Sequence, residues 1–92
     1  MKRVQILTKA AEVVTGKDSQ HGDTEDNFSR IAAMWSAYLD KDVSAKDVAV
    51  MMILLKTARI ASGHQSGDNW VDISGYAACG GEIEESMKEG TA

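Results

Sequence analysis

Ninety-two residues allow one domain, and 43% hydrophobic residues are enough for one small core. Fourteen acidic against ten basic side chains leave a net charge of −4, which argues against general nucleic-acid binding, where a basic face is needed. The single cysteine, Cys79, excludes an internal disulfide and any multi-cysteine zinc site, and no apolar run approaches the roughly 18–20 residues of a membrane span. Together these features predict a cytoplasmic protein. Glu12 and Lys17 follow the basic Lys2-Arg3 pair too closely for a signal-like apolar core.

The lack of proline and the wealth of Ala, Met, Leu, Lys and Glu predict an all-α fold. Four helices in a compact, oligomeric bundle are expected. The first spans about Arg3 to Thr15, with Val4, Leu7, Ala11 and Val14 as its apolar stripe and Gly16 as its stop. A polar loop follows, and Asp23 reads as the N-cap of a second helix from Thr24 to Leu39, with Glu25 and Asp26 in its first turn. Phe28, Ile31, Ala32, Trp35, Tyr38 and Leu39 form its apolar face.

Asp40-Lys41-Asp42 is a polar turn, and Ser44-Ala45-Lys46-Asp47 resembles a capping box. The third helix ends near Ser62-Gly63. Its segment Val48 to Leu55 is apolar on every side, as in a helix buried by its own subunit or by a partner. The fourth helix, capped by Asp68 or Asn69, runs through Trp70, Ile73, Tyr76 and Ile83. Gly75, Gly80 and Gly81 weaken it unless they permit close packing. Residues 84–92 read as a frayed acidic tail of a single domain spanning 1–92.

Catalytic signatures are scarce. No GxGxxG, P-loop, HExxH, CxxC or GxSxG motif occurs. His21 and His64 fall in loops, and Cys79 lies among small residues as a buried hydrophobe would. One polar constellation stands out. Lys56 and Arg59 share a face of the third helix, and Asp68 and Asp72 share a face of the fourth. The two helices, joined by a short turn, should pack antiparallel. Counting outward from Gly63 and Gly67 sets Arg59 opposite Asp72, and Tyr76 level with Lys56. That arrangement serves either as a structural ion pair or as a phosphate-binding pocket, with Trp70 available to stack a base and Asp23 and Asn27 forming a second polar cluster.

The segments His21 to Ala32, Met34 to Leu39, Asp47 to Arg59 and Asp68 to Ala78 resemble a family of short phage and prophage proteins of unknown function. The K-x-x-R and D-x-W-x-D-x-x-G-Y motifs carry the likeness. That family is in turn distantly similar to all-α nucleotide pyrophosphohydrolases of the MazG type and to a nucleotide-modification-associated domain. Those enzymes bind magnesium through an E-x-x-E and E-x-x-D pattern that does not recur here; Asp68, Asp72 and either Asp23 or Asp26 are the residues able to replace it. The resemblance implies a nucleotide-like or other phosphorylated ligand more than its hydrolysis. Lys56, Arg59, Asp68, Trp70, Asp72, Tyr76, Asp23 and Asn27 are the expected ligand-binding residues, with no resident metal unless the protein is enzymatic. Three functions follow as expectations: an accessory protein sequestering a host defence signal in the host cytoplasm, a magnesium-dependent pyrophosphohydrolase, and an acidic inhibitor that binds a host protein.

Overall fold

In a computed structural model, which describes residues 1–16 and 24–90, the chain folds into four helices: α1 (Arg3–Val14), α2 (Thr24–Leu39), α3 (Ala45–Ala61) and α4 (Gly67–Gly90). No strand occurs among the described residues. The expected N-cap Asp23 and the loop bearing His21 lie outside them.

Local chemistry accounts for the helix ends. At α1, Thr15 is the C-cap and Gly16 takes the left-handed conformation, φ +71°, with its N–H donating to the Val13 carbonyl. Asp40 plays the same part after α2 at φ 54°, a conformation that Asp tolerates better than most residues, and the Lys41 N–H returns to the Ser36 carbonyl. The Ser36 hydroxyl then accepts from the Val43 N–H at 2.8 Å and ties down the connection to α3.

The Ser44 capping box forms in full. Asp47 N–H donates to Ser44 Oγ at 3.1 Å, and Ser44 N–H donates to Asp47 Oδ2 at 2.9 Å. The Ser44 N–H, then the Ser44 hydroxyl and the nearby Lys46 charge, hold the Asp47 carboxyl below the usual carboxylate range. A depressed folded pKa contributes stability that is complete above the unfolded value, near pH ~4, and is lost as pH falls through the folded value. Ser44→Ala should cost about 1 kcal/mol. Asp47→Asn, which removes the titrating carboxyl while the Ser44 N–H stays, should flatten the acid limb of a pH-stability curve below pH ~4, read as urea midpoints. An acid limb unchanged by the substitution would show that Asp47 does not carry it.

At the other end of α3 a full Schellman motif forms. Gly63 adopts φ +94°, its N–H donates to the Ile60 carbonyl, and the His64 N–H donates to the Arg59 carbonyl. The last helical residue is therefore Ala61, two before Gly63. Ser66 rather than Asp68 or Asn69 caps α4, its hydroxyl accepting from the Asp68 N–H at 3.2 Å.

Helix α4 is the hub. It packs along α3, and its other side carries α1, while α2 lies mainly on α3. Met1 sits over Gly67 and Val14 against Gly75, so α1 and α4 run in the same direction. Helices α3 and α4 run antiparallel, with Ala49 beside Gly80 and Lys46 paired to Glu84 at 3.7 Å. Phe28, Ala32, Val48, Ala49 and Ile83 form the buried core, flanked by Ile31, Trp35, Met52, Tyr76 and Cys79.

Three expectations change. The α1 stripe of Val4 and Leu7 faces outward, and Ala10 is the residue that buries, with Ile6 and Val14 beside it in half-buried positions. Helix α4 does not stop at Ile83. Ile83 is held in the core, and the Glu, Met and Lys residues after it are good helix formers, so the helix continues to Gly90. Finally, of the two alternatives for α3, full burial within its own subunit does not hold: Val50, Met51, Leu54 and Leu55 are exposed.

Candidate functional site

Where α3 hands over to α4, the Schellman turn places the His64 carbonyl in reach of the first turn of α4. Asn69, only 2% exposed, grips it: Asn69 Nδ2 donates to the His64 carbonyl at 3.0 Å. The same side chain accepts from Arg59 Nε at 3.2 Å through its Oδ1. One buried amide thus uses both ends, closing the turn and fixing the direction of a guanidinium. The Arg59 Nη groups make no hydrogen bond among the described residues, and Arg59 is exposed.

One turn earlier on α3, Lys56 Nζ lies 3.0 Å from Asp72 Oδ2, with side-chain exposures of 18% and 35%. The expected Arg59–Asp72 pair does not form. The physical reason is the Schellman turn. Counted from the true helix ends, Ala61 and Gly67, Arg59 stands level with Asn69, and Lys56 with Asp72. Counting from Gly63 misplaced the register by about one helical turn.

The other sequence candidates divide. Asp68 and Trp70 are exposed in the first turn of α4, on either side of Asn69 in the chain. Tyr76 leaves the constellation: its ring packs on Phe28, centroids 6.1 Å apart and tilted by 36°. Asn27 is exposed on α2, which packs mainly against α3, and no hydrogen bond joins it to Lys56 or Arg59. Asp23 lies outside the described residues. Asn69 is the functional candidate that sequence reasoning missed. It was read only as a cap, although an amide three residues into a helix, just after a Gly-terminated one, is a signal for bracing the turn between them.

Among the described residues no three His, Cys, Asp or Glu side chains converge as a metal-holding group. Asp72 is engaged by Lys56 rather than turned to a third carboxylate. No helix is long and apolar enough to cross a membrane among these residues.

Residues 5–84 match the domain of unknown function DUF6378. The chain belongs to that family. It is 46% identical over 76 residues to the Gene 55 protein of Mycobacterium phage L5, covering 80% of this chain and 49% of that protein. The Gene 55 protein of Mycobacterium phage D29 is 38% identical over 86 residues, covering 92% of this chain and 57% of its own length. The chain therefore spans about half the length of the curated relatives it matches, and these are phage proteins. No solved structure matches it. The DUF6378 match covers α1 from Gln5, all of α2 and α3, and α4 as far as Glu84, so the Arg59–Asn69–His64 brace lies inside it.

Proposed function

We propose that this DUF6378 protein is a phage accessory protein that binds a nucleotide or another phosphorylated small molecule at the α3–α4 turn. The observation that carries the reading is the Arg59 guanidinium, held at Nε by a buried amide while its Nη groups make no hydrogen bond among the described residues. Such a fork is suited to phosphate oxygens. It stands beside the N-terminal turn of α4, whose dipole favours an anion although Ser66 already accepts from the Asp68 and Asn69 N–H groups. Trp70, 52% exposed in that turn, offers a face on which a base can stack. Lys56 takes a structural part in this reading, since Asp72 already neutralises it. Sequestration of a phosphorylated signal needs no more than this binding. The hydrolytic alternative requires a metal-holding carboxylate group, and no observation favours it.

The test combines mass spectrometry of small molecules copurifying with the protein and thermal shifts across a nucleotide panel that includes cyclic species. Arg59→Ala should abolish the ligand-dependent shift while lowering unliganded stability by about 1 kcal/mol, the worth of one hydrogen bond. Trp70→Ala should weaken binding by about 1–3 kcal/mol if a base stacks there. Lys56→Ala should do the opposite of Arg59→Ala, keeping the shift and losing about 1–2 kcal/mol of stability from a partly exposed ion pair. An empty mass spectrum together with no wild-type shift would rule the proposal out.

A further inference from the structure

The chain exposes 6795 Å². A monomeric protein of 9.9 kDa should expose about 5,200 Å². The radius of gyration, 14.1 Å, likewise exceeds the about 12 Å expected for this length. The excess surface, to which residues outside the described ones also contribute, compares with the roughly 800 Å² that each partner buries in a standard stable interface.

Helix α3 supplies a continuous part of that excess, and its polarity is inverted. Its basic residues Lys46, Lys56 and Arg59 all pair with side chains of α4, Arg59 through Nε alone, while its outward face carries Val50, Met51, Leu54, Leu55, Ala58 and Ala61. Leu54, at the middle, is 60% exposed. Between Val50 and Ala61 the only other polar group on the outward side is Thr57, whose hydroxyl is spent on the Ile53 carbonyl at 2.8 Å. On α1, by contrast, the exposed Val4 and Leu7 share their surface with Arg3, Thr8 and Glu12.

We infer that a second copy of this chain docks on the outward face of α3, helix against helix and antiparallel, with the two-fold axis at Leu54. The spacing from Asp47 through Met51, Leu54 and Ala58 to Ala61 alternates four and three residues, the seam on which two helices interlock. Side-chain size chooses the direction. Bulky Val50 and Met51 lie before Leu54, and Ala58 and Ala61 lie after it, so only an antiparallel pair sets large residues against small ones at both ends. A parallel pair would press Met51 on Met51 and leave a gap between alanines. The interface is isologous, as in most symmetric dimers. It leaves Arg59, Asn69 and Trp70 on the other side of α3, so it stands independently of the ligand-binding proposal.

Sedimentation equilibrium of the full chain at tens of micromolar should give twice 9.9 kDa. Leu54→Glu should give the 9.9 kDa monomer with unchanged helical circular dichroism, because Leu54 takes no part in the core. Direction is read by oxidation in a Cys79→Ser background. Leu54→Cys should cross-link between chains, Met51→Cys alone should not, and a chain carrying both Met51→Cys and Ala58→Cys should. A monomeric wild type, or an oligomer that survives Leu54→Glu, would overturn the interface. Self-cross-linking of Met51→Cys would overturn its antiparallel direction.

Discussion

Phe28→Ala should lower the stability of the folded chain by about 3–5 kcal/mol. A domain of this length has about 5–14 kcal/mol in total, so the variant stands close to unfolding. Phe28 is 6% exposed in a core that has few large side chains, and its ring contact with Tyr76 joins α2 to α4. Removing it leaves a void that Ala32 and Val48, both short, do not fill. Phe28→Leu, which keeps most of the volume, should cost about 1.5 kcal/mol or less. Urea titrations at one fixed protein concentration measure this, since an associating chain has concentration-dependent stability. A midpoint change with an unaltered slope is the expected form. A loss for Phe28→Ala below 1 kcal/mol would show that α2 is not anchored through this side chain.

Gly80→Val should destabilise by about 2–3 kcal/mol, while Gly81→Ala, one position away, should stabilise by up to about 1 kcal/mol. A Cβ at position 80 would lie 3.0 Å from the Ala49 Cβ. Neither atom can swing aside, because both are fixed by backbone, and Ala49 is wholly buried. The γ-carbons of valine would push α3 and α4 apart beside Val48 and Ile83, loosening the core from both helices. At position 81 a Cβ meets nothing within 4 Å, so alanine there only removes the entropy that glycine loses in a helix. The pair is a check on interhelical register as much as on stability. Thermal melts in which both variants gain would mean that α3 and α4 do not approach each other at Ala49 and Gly80.

The family resemblance noted from the K-x-x-R and D-x-W-x-D-x-x-G-Y motifs holds at the level of a phage protein family of unknown function, carried by residues 5–84. The candidate site was half legible. Lys56 and Arg59 do both reach side chains of α4, because three- and four-residue spacing fixes which side chains share a helix face. Who pairs with whom was not legible. That depends on where α3 stops to within a residue or two, and the αL turn at Gly63 ends it at Ala61, which hands Asp72 to Lys56 and Arg59 to Asn69.

The same division runs through the whole chain. Helix existence, the α2 boundaries at Thr24 and Leu39, the Ser44–Asp47 box and the glycine stops after α1 and α3 were determined by sequence alone, since each rests on contacts within four residues. Only the tertiary structure decided which stripe turned inward. On α1, Val4, Leu7 and Ala11 of the expected stripe are no less apolar than Ile6 and Ala10, yet of that stripe Val14 alone turned inward, where it seats against Gly75 of α4. The glycines of α4 followed the same logic: their cost in helix propensity was visible in the sequence, and their use appeared only where Ala49 came close enough to need one. Burial compares faces with the partners available in three dimensions, and periodicity along one helix carries no information about those partners.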